Sequence, residues 1–208
     1  VCRRIMRCED DTVQHRRLIG SDSASKPLNS SEKSSIINKC MQEAQNQQRC
    51  VRVPGINSPR DYIYKLGYHI EEEETELMPG FLYMGIMEPD RQTIRLNLRV
   101  INLAEAYMEK SLHLSREAEQ VKKFRDIILF HELYHVIVEK TPGIYTRNVR
   151  IRHRIAGILG WNRKLESASE IGAIHFSKLM TDASFSPCLY TQYLLAAINR
   201  DTEVKDEL

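Results

Sequence analysis

Residues 124–140 read FRDIILFHELYHVIVEK, and inside that run His131 and His135 stand four residues apart. The run is long and apolar enough to be a helix, and Thr141-Pro142-Gly143 is a stop signal at its end. On a helix, residues i and i+4 share one face, a turn apart, so two imidazoles converge on one place. A pair of unpartnered imidazoles in the apolar wall of Ile127, Ile128, Leu129 and Phe130 is costly. A cation held between them removes that cost.

Zn2+ suits this spacing. It takes imidazole nitrogens at about 2.0–2.1 Å, and a catalytic site has three protein ligands and one open position. Glu132 lies about 100° round the helix from His131, so it can face a bound water as general base rather than ligate. A third ligand must come from elsewhere. Cys188, His153 and His175 are of suitable type, and Glu166 and Glu170 lie in a helical stretch, 163–180, that is otherwise largely apolar. A carboxylate in that setting sits at the helix edge or points at a cation.

The surrounding pattern predicts an α+β fold. Residues 58–208 read as one unit, a small antiparallel sheet of about three strands followed by a mainly helical part. Ser58-Pro59 opens a short helix that Gly67 ends. Strands are expected at 68–74, 81–87 and 93–100, the last with Ile94, Leu96 and Leu98 alternating against Arg95, Asn97 and Arg99. Helices are expected over 103–114, 115–140 with Ser115 as N-cap, 149–160, 163–180 and 187–200. Residues 1–57 read as an N-terminal extension, linker-like over the Ser-rich stretch 21–35, with a weakly amphipathic helix over 36–50.

The 208 residues carry a formal charge of +2, too near neutral to argue for nucleic acid or a membrane surface from charge alone. The local exception is RNVRIRHR, residues 147–154, read as a basic helix face. No apolar run approaches the roughly 18 residues needed to span a bilayer. The five cysteines form no CxxC pair, which favours free thiols in a reducing cytoplasm. The terminal Lys205-Asp206-Glu207-Leu208 spells a retention signal of the secretory lumen, but no entry signal accompanies it, and it reads as a solvated helix end.

With both helical segments in view, the chain resembles the ImmA/IrrE-type metallopeptidases, HExxH enzymes of zincin-like fold. FRDIILFHELYHVI is similar to the family's His-Glu-Leu-x-His helix, and EIGAIHFSKLM to the helix that follows it, Glu170 matching the acidic ligand and Ala173 and Phe176 matching the Ala and Phe. DYIYKLGYHIEE and TIRLN are similar to the family's opening helix and a strand ending in Asn, so the likeness covers residues 58–182. Ile174 departs from the family's Asn or Asp. The resemblance implies a cytoplasmic zinc endopeptidase acting on a protein substrate such as a repressor, with His131, His135 and Glu170 as ligands and Glu132 as base. It leaves Glu166 as the alternative third ligand or as support for a histidine. Tyr145, His153 and His175 are candidates by type for the donor that such a reaction needs at its oxyanion. A second class stays open, a zinc-holding interaction protein with weak or no turnover.

Overall fold

The computed structural model describes residues 11–56, 58–76, 83–111, 118–155 and 159–206. In it two helices far apart in sequence, Ala118–Lys140 and Ser167–Met180, lie side by side and carry the convergent histidines and carboxylate. The elements run α1 (Asp11–Ser21), α2 (Ser30–Val51), α3 (Pro59–Lys65), β1 (His69–Glu73), β2 (Gly85–Glu88), β3 (Thr93–Asn97) and α4 (Leu98–Ser111). They continue through α5 (Ala118–Lys140), α6 (Tyr145–Asn148), β4 (Arg150–Ile155), β5 (Leu159–Lys164), α7 (Ser167–Met180) and α8 (Leu189–Asp206). The architecture is α+β, as the order of patterns implied.

The three-stranded sheet is mixed rather than antiparallel. Its order is β1-β3-β2, with β1 and β3 parallel and β2 and β3 antiparallel. The chain passes β1, places β2 beyond the gap, and then turns back through Pro89–Arg91 so that β3 fills the middle. Gln92, in the left-handed region at φ 51°, closes that turn. The expected strand over 93–100 stops at Asn97, whose side-chain oxygen accepts from the Val100 N–H at 3.4 Å and starts α4 at Leu98. Residues 81 and 82, at the front of the expected middle strand, and Ser115 lie outside the described residues.

The largest departure is at 149–160. Its described residues form not a helix but β4 and the start of its antiparallel partner β5. The reason is in the residues: Ile151 is buried while Arg150, Arg152 and Arg154 are exposed, a period of two. The Ser-rich stretch 21–35 is not a linker. Asp22 accepts from Ala24 N–H to start a 3-10 turn, and an Asn29–Glu32 capping box opens α2 at Ser30, six residues before the expected helix.

α7 is sandwiched between α2 and α5. On the α5 side the approach is set by Gly172: a Cβ there would meet the Tyr134 hydroxyl at 2.5 Å and its ring at 2.7 Å. On the α2 side Ile37, Cys40, Ala168 and Ile171 form a second core with Ile19 and the hairpin's Ile151. The main core joins the sheet, α4, α5 and α8 through Ile94, Leu96, Phe124, Leu133 and Tyr190. Among the described residues Cys40, Cys50 and Cys188 are free thiols, and no helix is long and apolar enough to cross a membrane.

Candidate metal centre

Four donor atoms on three residues converge, the two imidazole Nε2 atoms and both carboxylate oxygens of Glu170. His131 Nε2 and His135 Nε2 lie 3.2 Å apart, and the two oxygens of Glu170 lie 3.3 Å from His131 Nε2 and 3.4 Å from His135 Nε2. Donor separations of this order are those expected across a site with metal bonds of about 2.0 Å to nitrogen and carboxylate oxygen. The donor set therefore fits a small divalent cation, and it is the group among the described residues that could hold one. Glu170 is the third member. Its side chain remains 44% exposed, at the mouth of the site.

The three groups interact strongly, and a cation bound among them would displace the proton that His131 shares with Glu170. Burial and the neighbouring His131 push His135 down to about 4, so it is a neutral imidazole. Its Nδ1 shares a hydrogen bond with Ser169 Oγ at 3.2 Å, which fixes the ring and leaves Nε2 to ligate. Burial would raise Glu170, but the hydrogen bond from His131 and that ring's charge, before any contribution from His135, hold it at about 2. His131 goes the other way from His135: burial pulls it down and Glu170 more than restores it, above its ordinary value.

Glu132 is a different kind of carboxylate. It is buried, 7% exposed, and burial raises it to about 7 against the charge of His131 and a hydrogen bond from the Met87 backbone. That bond comes from the outer side of β2. Asn97 N–H bonds Met84 O at 3.0 Å, so in an antiparallel ladder Ile86 and Glu88 bond inward while Gly85 and Met87 face away from β3. Gly85 lies against Glu132, since a Cβ there would be 2.9 Å from its Cγ.

Two cavities meet at this point and share Gly85, His131, Glu132 and Glu170. One, about 530 Å³, is mainly apolar and lined by Ile127, Ile128, Ile174 and Tyr190, with Leu18 and Arg17 of α1 closing it. The other, about 600 Å³, is polar and lined by His135, Ser169, Arg147, Arg150 and Lys164.

The remaining sequence candidates fall elsewhere. Glu166 sits at the start of α7, lines the polar cavity and pairs with Lys164 at 2.6 Å, outside the converging donors. Tyr145 lies under α2, its backbone N–H on Glu43 and its ring beneath Lys39. His153 donates to the Ala24 carbonyl at 3.0 Å and stacks on Trp161. His175 is buried towards α1, where burial and His15 lower it to about 4. None of these three lines either cavity at the donor set. Sequence reasoning missed Ser169, one residue before Glu170 and about 100° from it round α7. It also missed α1, whose Leu18 and Ile19 are too sparse an apolar signal to mark a helix.

The chain matches no family model, and no curated protein or solved structure matches it.

Proposed function

We propose that this protein is a zinc metalloendopeptidase of the ImmA/IrrE type, cutting peptide bonds in a protein substrate, a regulatory or repressor protein by that likeness, in the cytoplasm. The observation that carries the reading is the donor set of His131, His135 and Glu170 with the buried Glu132 beside it. Zinc, when bound there, supplies Lewis-acid polarisation of a carbonyl and of a water. Glu132 supplies the proton traffic. Burial raises its carboxyl and the charge of a bound ion would lower it again, so its oxygens can take a proton from water and return it to the leaving amine. The outer edge of β2 offers the Gly85 backbone to an extended chain, as in strand addition. The apolar cavity then receives a hydrophobic side chain next to the cut bond.

One observation favours a second reading, a zinc-holding interaction protein. Tyr145, His153 and His175 all lie away from the donor set, so none of them serves the oxyanion. Zinc-loaded wild type and Glu132→Gln, compared on an unfolded protein substrate, separate the two. A peptidase loses about 10²–10⁴-fold in rate in the variant while keeping its metal. Equal rates in both proteins rule the peptidase out.

A further inference from the structure

The hairpin β4–β5 has one face that the fold does not use. Cross-strand partners point to the same side, so Arg150, Arg152 and Arg154 share that face with Lys164, Asn162 and Gly160. All three arginines are exposed, and none makes an ion pair with a described residue. Other cations nearby are tied down: Arg147 bonds Glu139 and the Val138 carbonyl, and Arg163 bonds Ser23. Arg150 stands directly opposite Lys164, a like-charge pair that weakens a ladder. Glu166 relieves Lys164 only. The fold thus carries a row of cations that costs it stability and stabilises no other part of it.

The row starts inside the cleft. Arg150 and Lys164 line the polar cavity together with His131, Glu132, His135 and Glu170. From there the arginines recur every second residue, about 7 Å apart, which is the spacing of alternate side chains on an extended peptide. We propose that this face is the docking track for an acidic segment of the substrate chain, lying a few residues to one side of the cut bond. The proposal rests on the peptidase reading for the word substrate. Charge complementarity and continuity with the cleft carry the rest. A phosphate backbone fits less well, since Glu139 and Glu166 line the same cavity and the whole chain carries only +2. Substrates would then be amphiphilic, with an apolar residue in one cavity and acidic residues across the other.

The test is binding, measured on zinc-loaded full chain carrying Glu132→Gln so that nothing is consumed. The probes are fluorescein-labelled peptides with a Leu-Leu core flanked, before or after it, by Glu-Ser-Glu-Ser-Glu or by Gln-Ser-Gln-Ser-Gln. In one flank orientation the Glu peptide should bind about tenfold tighter than its Gln counterpart at about 50 mM salt, and the gap should close at about 500 mM. Arg150→Gln/Arg152→Gln/Arg154→Gln should erase the gap and leave the Gln peptide unchanged. Arg152→Gln alone should narrow it, which guards against misfolding of the triple variant. Equal binding of the two peptides by the Glu132→Gln chain overturns the assignment. So does a gap that survives the triple variant, or tighter binding of a DNA duplex of about 20 base pairs than of the Glu peptide. If the preference is found but wild type cuts neither peptide, the docking track stands and the peptidase reading falls.

Discussion

Tyr134 and Gly172 are in such close register that a methyl group on residue 172 would overlap the tyrosine ring, at 2.7 Å from two of its carbons. Tyr134 is fully buried and its hydroxyl shares a hydrogen bond with Thr146 at 3.0 Å, so the ring has nowhere to go. This contact sets how near α5 comes to α7, and hence how near His131 and His135 come to Glu170. Gly172→Ala should therefore invert the usual helix rule. Alanine gains about 1 kcal/mol in a helix interior, but overpacking here costs about 1–3 kcal/mol. We expect net loss of stability and at least tenfold weaker zinc affinity. Thermal unfolding and a chelator competition measure both. An unchanged zinc affinity would mean that the helices are spaced by something else.

Gly85 bears on Glu132, the proposed general base, rather than on the three converging donors. A Cβ there would press on Glu132 Cγ at 2.9 Å and on Ile128 at 3.1 Å. In Gly85→Ala the carboxylate or the edge strand must shift. A misplacement near 1 Å costs about 10²-fold in rate. We expect kcat to fall by about that factor with zinc content unchanged. Loss of zinc instead would show that β2 holds the ligands and not only Glu132.

Ser169→Ala removes the partner of His135 Nδ1. Such orienting groups are worth about 10–100-fold in metal affinity. The variant should keep its fold and lose zinc affinity within that range, as read by competition with a chromophoric chelator. Ser169→Thr keeps the hydroxyl and should restore most of it. A wild-type affinity in Ser169→Ala would show that His135 is held by packing alone.

The donor set itself was legible in the sequence, because a spacing of four on one helix places two side chains whatever the rest of the fold does. The third ligand needed the resemblance, since nothing local distinguishes Glu170 from Glu166. What separates them is a long-range fact: the packing of α7 on α5 brings Glu170 to His131 and His135, while Glu166 pairs locally with Lys164. The strand pair β4–β5 is harder to read, because the four arginines of residues 147–154 fit a basic helix face as well as they fit one side of a strand. The sheet's mixed topology was not legible, as a parallel pair follows from where the chain crosses and not from either strand's residues. Nor was α1, which is held by contacts remote in sequence, among them the ion pair of Asp11 with Lys178.

That ion pair gives a pH dependence. Burial raises the Asp11 carboxyl, and the hydrogen bond and charge of Lys178 outweigh it, so the folded value lies below the ordinary one of about 3.9. A depressed folded value means that the stabilisation is present above about pH 3.9 and is lost as pH falls through the folded value. Asp11→Asn should lower stability at neutral pH by about 1–2 kcal/mol, the side chains being 14% and 27% exposed. That is a fall in Tm of about 2–8 °C. The difference from wild type should shrink as pH falls below about 3.9. A difference that is flat with pH would mean that the ion pair contributes nothing to docking α1.

Zinc content decides the central claim most directly. The purified chain, reconstituted with zinc and passed through gel filtration, is assayed by mass spectrometry beside His131→Ala and Glu132→Gln. About one zinc per chain in wild type and Glu132→Gln, and none in His131→Ala, is the expected result. An empty wild type, or equal zinc in His131→Ala, would contradict it, and the histidines would then be a buried polar pair with no metal between them.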